Sequence, residues 1–281
     1  MSVVPGMLRR SAVVVVLAAA VTPLASQYLI SVKEEIALGR QAQRDVKART
    51  PELDDAAVVG YVRSIGRALV RHAAGPKYPY SVSVANSREI NAFALPGGPV
   101  WIHRGALAAA RNEAQLASVL AHEIAHLAQR HAADQLTKNL VANGLLGLLG
   151  AVLGNDRSAR TAQAAAQILA GGYMLTFSRE DEREADRVGA RLMRRAGWDP
   201  REMIAFLEIL RHEQGRDPGS VEVFLSSHPA PAERVGLLRA ELKSLGGGPP
   251  SIRRGDRARF RAMQARLRRL PPARSISSRS R

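Results

Sequence analysis

The feature that most constrains this chain is the pentapeptide His-Glu-Ile-Ala-His at positions 122–126, set inside a segment with few polar residues. A helix advances 3.6 residues per turn, so His122 and His126 project from one face, one above the other. Residues 116–127 are apolar nearly all round, which is typical of a buried helix. Polar side chains in such a place are costly unless they are bonded or coordinated. The segment therefore predicts a core helix whose polar face binds a metal.

Two imidazoles one turn apart can bind a single Zn²⁺ and leave room for a water molecule and a substrate. Glu123 stands beside the first imidazole, where a carboxylate can take a proton from that water. This HExxH pattern is the signature of zinc metallopeptidases, although an ordinary amphipathic helix can carry it by chance. We expect one zinc ion per chain, with His122 and His126 as ligands and Glu123 as the catalytic base.

A third ligand has to come from another part of the chain. The pattern that uses a third histidine requires Gly and His just after the helix, but the chain has Gln129 and Ala132 there. His131 is out of register with that pattern and is expected on the surface. The other known solution is a carboxylate from a second helix.

A second helix, predicted from about position 178, carries the three candidate carboxylates Glu180, Glu182 and Glu184. The apolar stripe of its later turns, continued backwards, reaches Glu182 and places this side chain on the inner face. Glu184 points to solvent on the same pattern, and Glu180 lies in the first turn, where an acid favours the helix dipole. Asp186 follows Glu182 by one turn and is expected to accept the N–H of a ligating histidine.

Four ordered segments carry a family resemblance: residues 89–98, 115–131, 177–189 and 227–234. They resemble the zinc peptidase family that includes the CAAX prenyl protease, the bacterial heat-shock membrane protease, the mitochondrial overlapping-activity protease and the periplasmic β-barrel-assembly-enhancing protease, above all the last two. The resemblance implies the same zinc ligands, His122, His126 and Glu182. It also implies that Glu123 is the catalytic base and that Asp186 accepts a hydrogen bond from a ligating histidine. We expect no counterpart of the helical-repeat domain of the β-barrel-assembly-enhancing relatives in residues 246–281, where no period of about 34 residues is visible.

The segment from His228 to Arg234 returns to the active-site region in that family. The resemblance implies that His228 offers zinc a fourth imidazole or donates a hydrogen bond to the oxyanion, and that Arg234 pairs with a buried carboxylate. A capped loop without such a role is the alternative. A fourth protein ligand would have to leave before a water could bind.

The other segments predict an α+β fold that is mostly helical, with a small sheet beside the HExxH helix. Periodicity predicts helices over residues 32–46, 54–71 and 200–213. Strands are predicted over residues 80–84, 90–95 and 100–103, the last two flanking a hairpin connection, Pro-Gly-Gly-Pro. His103 has no partner at a useful spacing and is expected to be structural. With the resemblance, this implies a zincin-like domain of the gluzincin type.

Composition divides the chain into three parts. Residues 1–26 have the charged start and apolar centre of a secretory signal, or of a retained N-terminal anchor. Residues 27–245 hold the peptidase motifs. Within them, two apolar stretches at 140–154 and 164–176 are too short to span a bilayer and predict a helical hairpin, or a cover that gates the site. Residues 246–281 are a Gly/Pro linker and a basic tail.

Positive charge is concentrated in this basic tail. Residues 253–281 hold eleven arginines and one acid, Asp256, and so carry ten of the sixteen net positive charges of the chain. Apolar residues recur there at helical spacing, at Phe260, Met263, Leu267 and Leu270. We expect a solvated tail, and peripheral contact of this amphipathic pattern with an anionic membrane is the alternative. No nucleic-acid partner is expected for an exported chain.

The sequence therefore predicts an exported zinc metalloendopeptidase, in the bacterial periplasm or on a membrane facing it. The resemblance implies polypeptide substrates, namely misfolded or unassembled envelope proteins. A non-proteolytic chaperone or assembly factor with a closed zinc site is the alternative. The chain has no cysteine, which excludes cysteine-protease chemistry, thiolate metal sites and disulfides.

Overall fold

The computed structural model describes residues 28–142, 175–229, 231–244, 254–273 and 275. Over these ranges the chain is mostly helical with one small sheet, which confirms the expected fold class. The helices are α1 (Val32–Arg49), α2 (Ala56–Val70), α3 (Arg104–Ala109), α4 (Glu113–Ala128), α5 (His131–Ala142), α6 (Arg179–Ala196), α7 (Arg201–Arg216), α8 (Pro218–Ser227), α9 (Pro231–Ser244) and α10 (Arg254–Arg269). The strands are β1 (Ser81–Ala85), β2 (Ala92–Ala94) and β3 (Pro99–His103).

Capping side chains determine where three of these helices begin. Ser31 accepts a hydrogen bond from the backbone N–H of Glu34, whose carboxylate accepts one from the backbone N–H of Ser31. Ser178 and Asp181 form the same reciprocal pair at the start of α6. Asn112 accepts from the backbone N–H three residues further on, at the start of α4. These bonds satisfy donors that the first helical turn leaves unpaired, so the starts of α1, α4 and α6 are encoded locally.

The three strands form one sheet in the order β1-β3-β2. β2 and β3 make the expected antiparallel hairpin, with Phe93 opposite Trp101, and β1 pairs with β3 in parallel. The hairpin turn holds Gly97 at φ 74° and Gly98 at φ 128°, values that favour glycine. A Cβ on Gly97 would lie 2.4 Å from Cα of Ile36, so the turn also packs closely against α1. β2 is left at one edge of the sheet, in contact with α4.

Helix α4 lies at the centre of the core. All of its residues are buried, and it packs against α2, α6, α7 and β2. Gly189 of α6 faces α4 so closely that a Cβ there would lie 3.3 Å from the backbone carbonyl of Ala121. The absence of a side chain at this position brings α6 against α4. The helix that carries Glu182 is thereby placed beside the helix that carries His122 and His126.

Helix α10 shows that the expectation of a solvated tail is wrong for this segment. The apolar residues Phe260, Met263 and Leu267 are at most 5% exposed and belong to the main hydrophobic core. They pack against α2, α3 and α4. An amphipathic pattern shows which face becomes buried but not what covers it. Here the cover is the domain itself, so this apolar face is not presented to a membrane.

Polar contacts hold α10 in this position. Arg104 donates to three backbone oxygens at the end of α10, including that of Leu267 at 2.8 Å. Gln264 donates to a backbone oxygen of α3 at 2.7 Å. Arg266 pairs with Asp55, just before α2, at 2.7 Å. The helix is therefore joined to the domain at both its apolar face and its carboxyl end, where backbone oxygens otherwise lack partners.

Several expectations fall outside the described residues. These are the signal or anchor at 1–26, most of the two apolar stretches between 140 and 176, and the linker at 246–250. Among the residues that are described, no helix combines the length and the apolar character that crossing a bilayer requires.

Candidate metal centre

Two histidines of α4 form the base of the site. His122 and His126 are both buried, and their Nε2 atoms lie 3.0 Å apart. Phe177 stacks on the ring of His126, with 4.0 Å between the ring centroids, and this contact restricts the ring. The four-residue spacing in the sequence therefore places both Nε2 atoms within reach of a single metal ion.

Glu182 reaches this pair from α6. Its Oε2 atom lies 3.4 Å from Nε2 of His122, and its Oε1 atom lies 3.3 Å from Nε2 of His126. The side chain of Glu182 is 1% exposed, against 72% for Glu180 and 35% for Glu184. Of the three glutamates considered in the sequence, Glu182 is the one that lies at the histidine pair.

Asp186, one turn after Glu182, lies behind His122. Its Oδ1 atom is 3.1 Å from Nδ1 of His122, so the Nδ1–H can donate to the carboxylate while Nε2 keeps its lone pair. Arg234 of α9 donates to both oxygens of Asp186, at 2.7 and 2.8 Å, and lies 2.6 Å from Oε2 of Glu182. Burial acts to raise the pKa of Asp186, but the Arg234 guanidinium outweighs it and lowers that pKa to about 2.

His228, just after α8, completes the group. Its Nδ1 atom lies 2.8 Å from Oε1 of Glu182 and 3.3 Å from Nε2 of His122. Phe224 stacks on its ring at 4.7 Å between centroids. His122, His126, Glu182 and His228, all buried, offer one donor atom each within 4.8 Å of one another. We call these four residues the donor cluster.

Glu123 faces the same region with its carboxylate unpaired. The residue is fully buried, and neither carboxylate oxygen accepts a hydrogen bond from any described residue. Nε2 of His228 lies 3.6 Å from Oε1 of Glu123. A cavity of about 20 Å³ adjoins Glu123 and His122, which is room for one water molecule. The atoms of the described residues that are exposed in this cavity are apolar, so the carboxylate of Glu123 has no partner among them.

The donor cluster fits a zinc ion. Two donors at about 2.05 Å from a tetrahedral zinc would lie about 3.3 Å from each other. The Nε2 atoms of His122 and His126 are 3.0 Å apart, Oε2 of Glu182 is 3.4 Å from the first and Oε1 is 3.3 Å from the second. Imidazole nitrogen and carboxylate oxygen are also the atom types that zinc takes in such sites.

The electrostatics of the donor cluster favour a cation as well. Burial and the nearby Arg234 act to lower the pKa of His122. The carboxylates of Glu182 and Asp186 outweigh both and raise that pKa to about 9. A field that would hold a proton on this ring also attracts a metal ion, which competes with the proton for the same lone pair.

The structure corrects the expectations for His131 and Glu184. His131, expected on the surface, is 4% exposed, and its Nδ1 atom lies 2.9 Å from Nδ1 of His126. Its Nε2 atom lies 3.3 Å from Oε2 of Glu184, which is half-buried rather than turned to solvent. Helical periodicity fails here because Arg130, at φ 61°, interrupts the helix just before His131.

Comparison with known proteins gives several matches. The β-barrel assembly-enhancing protease of Escherichia coli (strain K12) is 36% identical over 215 residues, which are 75% of this chain and 44% of that protein. Mitochondrial metalloendopeptidase OMA1 is 31% identical over 175 residues in Schizosaccharomyces pombe, which are 62% of this chain and 50% of that protein. In Saccharomyces cerevisiae it is 39% identical over 149 residues, 52% of this chain and 41% of that protein. The chain thus spans half of these relatives or less.

A family model matches residues 56–242, under the description Peptidase family M48. This range is more than half of the chain and contains the whole donor cluster together with Glu123 and Arg234. The chain belongs to peptidase family M48.

Proposed function

We propose that this chain is a zinc-dependent metalloendopeptidase that hydrolyses peptide bonds in misfolded or unassembled cell-envelope proteins. The observation that carries the proposal is the unpaired, fully buried carboxylate of Glu123 beside the donor cluster and a water-sized cavity. A structural carboxylate at 0% exposure would be expected to have a partner in the protein. An unpaired carboxylate beside the metal-binding residues is available for proton transfer.

In the proposed reaction, His122, His126 and Glu182 would hold the zinc ion. The chemistry supplied by a zinc ion held there would be that of a Lewis acid, for the scissile carbonyl and for the attacking water. Glu123 accepts a proton from that water on a carboxylate oxygen and later delivers it to the leaving amine. Asp186 keeps the Nδ1–H of His122 engaged, so that Nε2 stays directed at the metal. Arg234 offsets the negative charge of the two buried carboxylates beside it.

We propose that the substrate binds as an extended strand along β2. This strand is at an edge of the sheet and in contact with α4, which carries His122 and His126. Addition of a strand reads the substrate backbone more than its sequence, which suits exposed segments of unfolded polypeptides. Export to the bacterial envelope is part of this proposal, supported by the signal-like residues 1–26 and by the name of the Escherichia coli relative.

The test is cleavage of an alkylated, unfolded protein by the zinc-loaded full chain. We expect wild type to generate new amino termini and Glu123→Gln to lose about 10²-fold or more of the rate at unchanged zinc content. Glu180→Gln, at an exposed position on α6, is the matched control and should behave as wild type. Equal survival of the substrate with wild type and Glu123→Gln would contradict the proposal. An unassembled β-barrel membrane protein and its folded form then test the substrate class.

The second candidate function is a non-proteolytic chaperone or assembly factor for envelope proteins. The position of His228 favours it, since a fourth donor within 2.8 Å of Glu182 closes the site to water. The two functions separate in a refolding assay. If wild type and Glu123→Gln protect an unfolded client from aggregation equally and neither cleaves it, the chain acts as a chaperone.

A further inference from the structure

The ring of His126 has a second nitrogen that the donor cluster does not use. Its Nδ1 atom lies 2.9 Å from Nδ1 of His131, and both rings are buried. The ring nitrogens of two neutral histidines can form such a bond only if one carries hydrogen and the other a lone pair. One of the two histidines is therefore the donor of this hydrogen bond and the other the acceptor, and the surrounding contacts determine which.

Zinc coordination by His126 determines which histidine donates, so this inference rests on the proposed zinc site. To coordinate, Nε2 of His126 must present its lone pair, which leaves the hydrogen on Nδ1. Nδ1 of His131 then accepts this hydrogen bond, and the hydrogen of His131 is on Nε2. That atom lies 3.3 Å from Oε2 of Glu184, a carboxylate oxygen that can accept it. His126, His131 and Glu184 thus form a continuous donor-to-acceptor chain from the metal site outward.

Glu184 is itself held in place. Its Oε1 atom accepts a hydrogen bond from the side-chain amide of Gln129 at 2.7 Å. Gln129 is the last residue before Arg130, at the end of α4. Glu184, the last acceptor in this series of hydrogen bonds, is therefore bonded to the same turn that carries His131.

That turn explains how His131 reaches His126 at all. On an uninterrupted helix, residues five apart point about 140° away from each other. Arg130 adopts a left-handed conformation, φ 61°, which is strained for a residue with a side chain. Its guanidinium pairs with the buried Glu35 of α1 through two nitrogens and donates to the backbone oxygen of Ile30 at 2.7 Å. These bonds hold the turn that folds His131 back onto His126.

We propose that His131, held by Glu184, is a positioning residue of the zinc site: it fixes the tautomer and the orientation of His126. His122 has a carboxylate, Asp186, in the equivalent role. The two ligating histidines are thus supported unequally, one by a charged acceptor and one by an imidazole. Loss of such a support typically weakens metal binding or activity by about 10–100-fold.

The test measures zinc affinity rather than activity, by competition with a chelator in the full chain carrying Glu123→Gln. We expect His131→Leu to weaken zinc binding by about 10–100-fold. His131→Asn should retain affinity within about threefold of its parent, because an Asn side-chain oxygen can accept from His126 where Nδ1 of His131 did. His212→Leu, at an exposed position of α7, is the matched control and should bind as its parent does.

A second readout is the visible spectrum of the cobalt-substituted protein, which reports ligand geometry directly. The proposal expects His131→Leu to change this spectrum and His131→Asn to keep it. Equal zinc affinity in His131→Leu and its parent would overturn the proposal. It would also be overturned if His131→Asn lost as much affinity as His131→Leu. If the parent binds zinc tightly but wild type cleaves nothing, the proposed peptidase function fails while this inference stands.

Discussion

The Nδ1 atom of His228 lies 2.8 Å from Oε1 of Glu182, so the residue just after α8 meets α6 inside the donor cluster. Both side chains are 1% exposed. A catalytic zinc site keeps one position open for water and substrate, whereas a site with four protein ligands is closed. The donor cluster has four protein donors, the number of a closed site, so we propose that access to a bound metal depends on the position of His228.

Replacement of His228 by Ala should open the site. We expect zinc affinity to fall by about tenfold, since one donor of four is lost, and the rate of cleavage of an unfolded protein to rise. The measurement is chelator competition together with cleavage at saturating zinc. Ser226→Ala, at an exposed position two residues earlier, is the control. If His228→Ala changes neither zinc affinity nor cleavage, His228 has no role at the metal.

Replacement of Arg234 by Met should destabilise the fold strongly. Arg234 is 4% exposed and pairs with both Asp186 and Glu182, so its loss leaves buried carboxylates without their counter-charge. Breaking a buried ion pair in this way costs about 3–5 kcal/mol. Urea unfolding at saturating zinc measures the loss. Arg239→Met, which removes an exposed arginine of the same helix, should leave the unfolding midpoint unchanged, and an equal effect of both variants would refute the prediction.

Replacement of Leu267 by Ala tests whether α10 belongs to the core. Leu267 is 3% exposed, and truncating a buried leucine costs about 2–5 kcal/mol. Urea unfolding of the full chain should show this loss as one cooperative transition. Arg268→Ala, on the exposed face of α10, should unfold as wild type does. A wild-type midpoint for Leu267→Ala would mean that α10 is not packed on the domain in solution.

His103 should make the fold less stable in mild acid. Burial lowers the pKa of His103 to about 4, against an opposing contribution from Glu89. Unfolded histidine titrates near 6.5, so the unfolded chain binds more protons between pH 6.5 and 4, and stability falls as the pH falls through this window. We expect His103 to contribute about 2 kcal/mol to the stability lost between pH 7 and pH 5.

Urea unfolding at pH 7 and pH 5 measures this loss. In His103→Gln the difference between the two pH values should shrink by about the same 2 kcal/mol. In His212→Gln, which changes an exposed histidine, it should stay as in wild type. An unchanged difference in His103→Gln would show that His103 is not buried in its neutral form.

The sequence was sufficient to predict the parts of the site that follow helical periodicity. His122 and His126 lie on one face because they are one turn apart, and Glu182 lies on the inner face because the apolar stripe of α6 continues to it. The hairpin of β2 and β3 likewise follows from the residues of its turn. In each case all the residues needed for the prediction lie in one short stretch of sequence.

Two features depend on contacts that a local pattern does not contain. The buried position of His131 requires the left-handed turn at Arg130, and a non-glycine residue gives no local sign of that conformation. The packing of α10 requires a complementary apolar surface on α2, α3 and α4, far away in the sequence. An amphipathic helix of the same composition would also suit a membrane, so the pattern alone could not decide between the two.

The hydrogen bond from Arg104 to Leu267 joins residues 163 positions apart, which has a consequence for the order of events during synthesis. Contacts of such long sequence separation form late, because the chain between them must first be closed into a loop. Helices α2, α3 and α4 leave the ribosome before α10 has been translated. We therefore expect a nascent chain to hold the HEIAH helix in an unfinished core. The core around this helix is therefore complete only after α10 has been made.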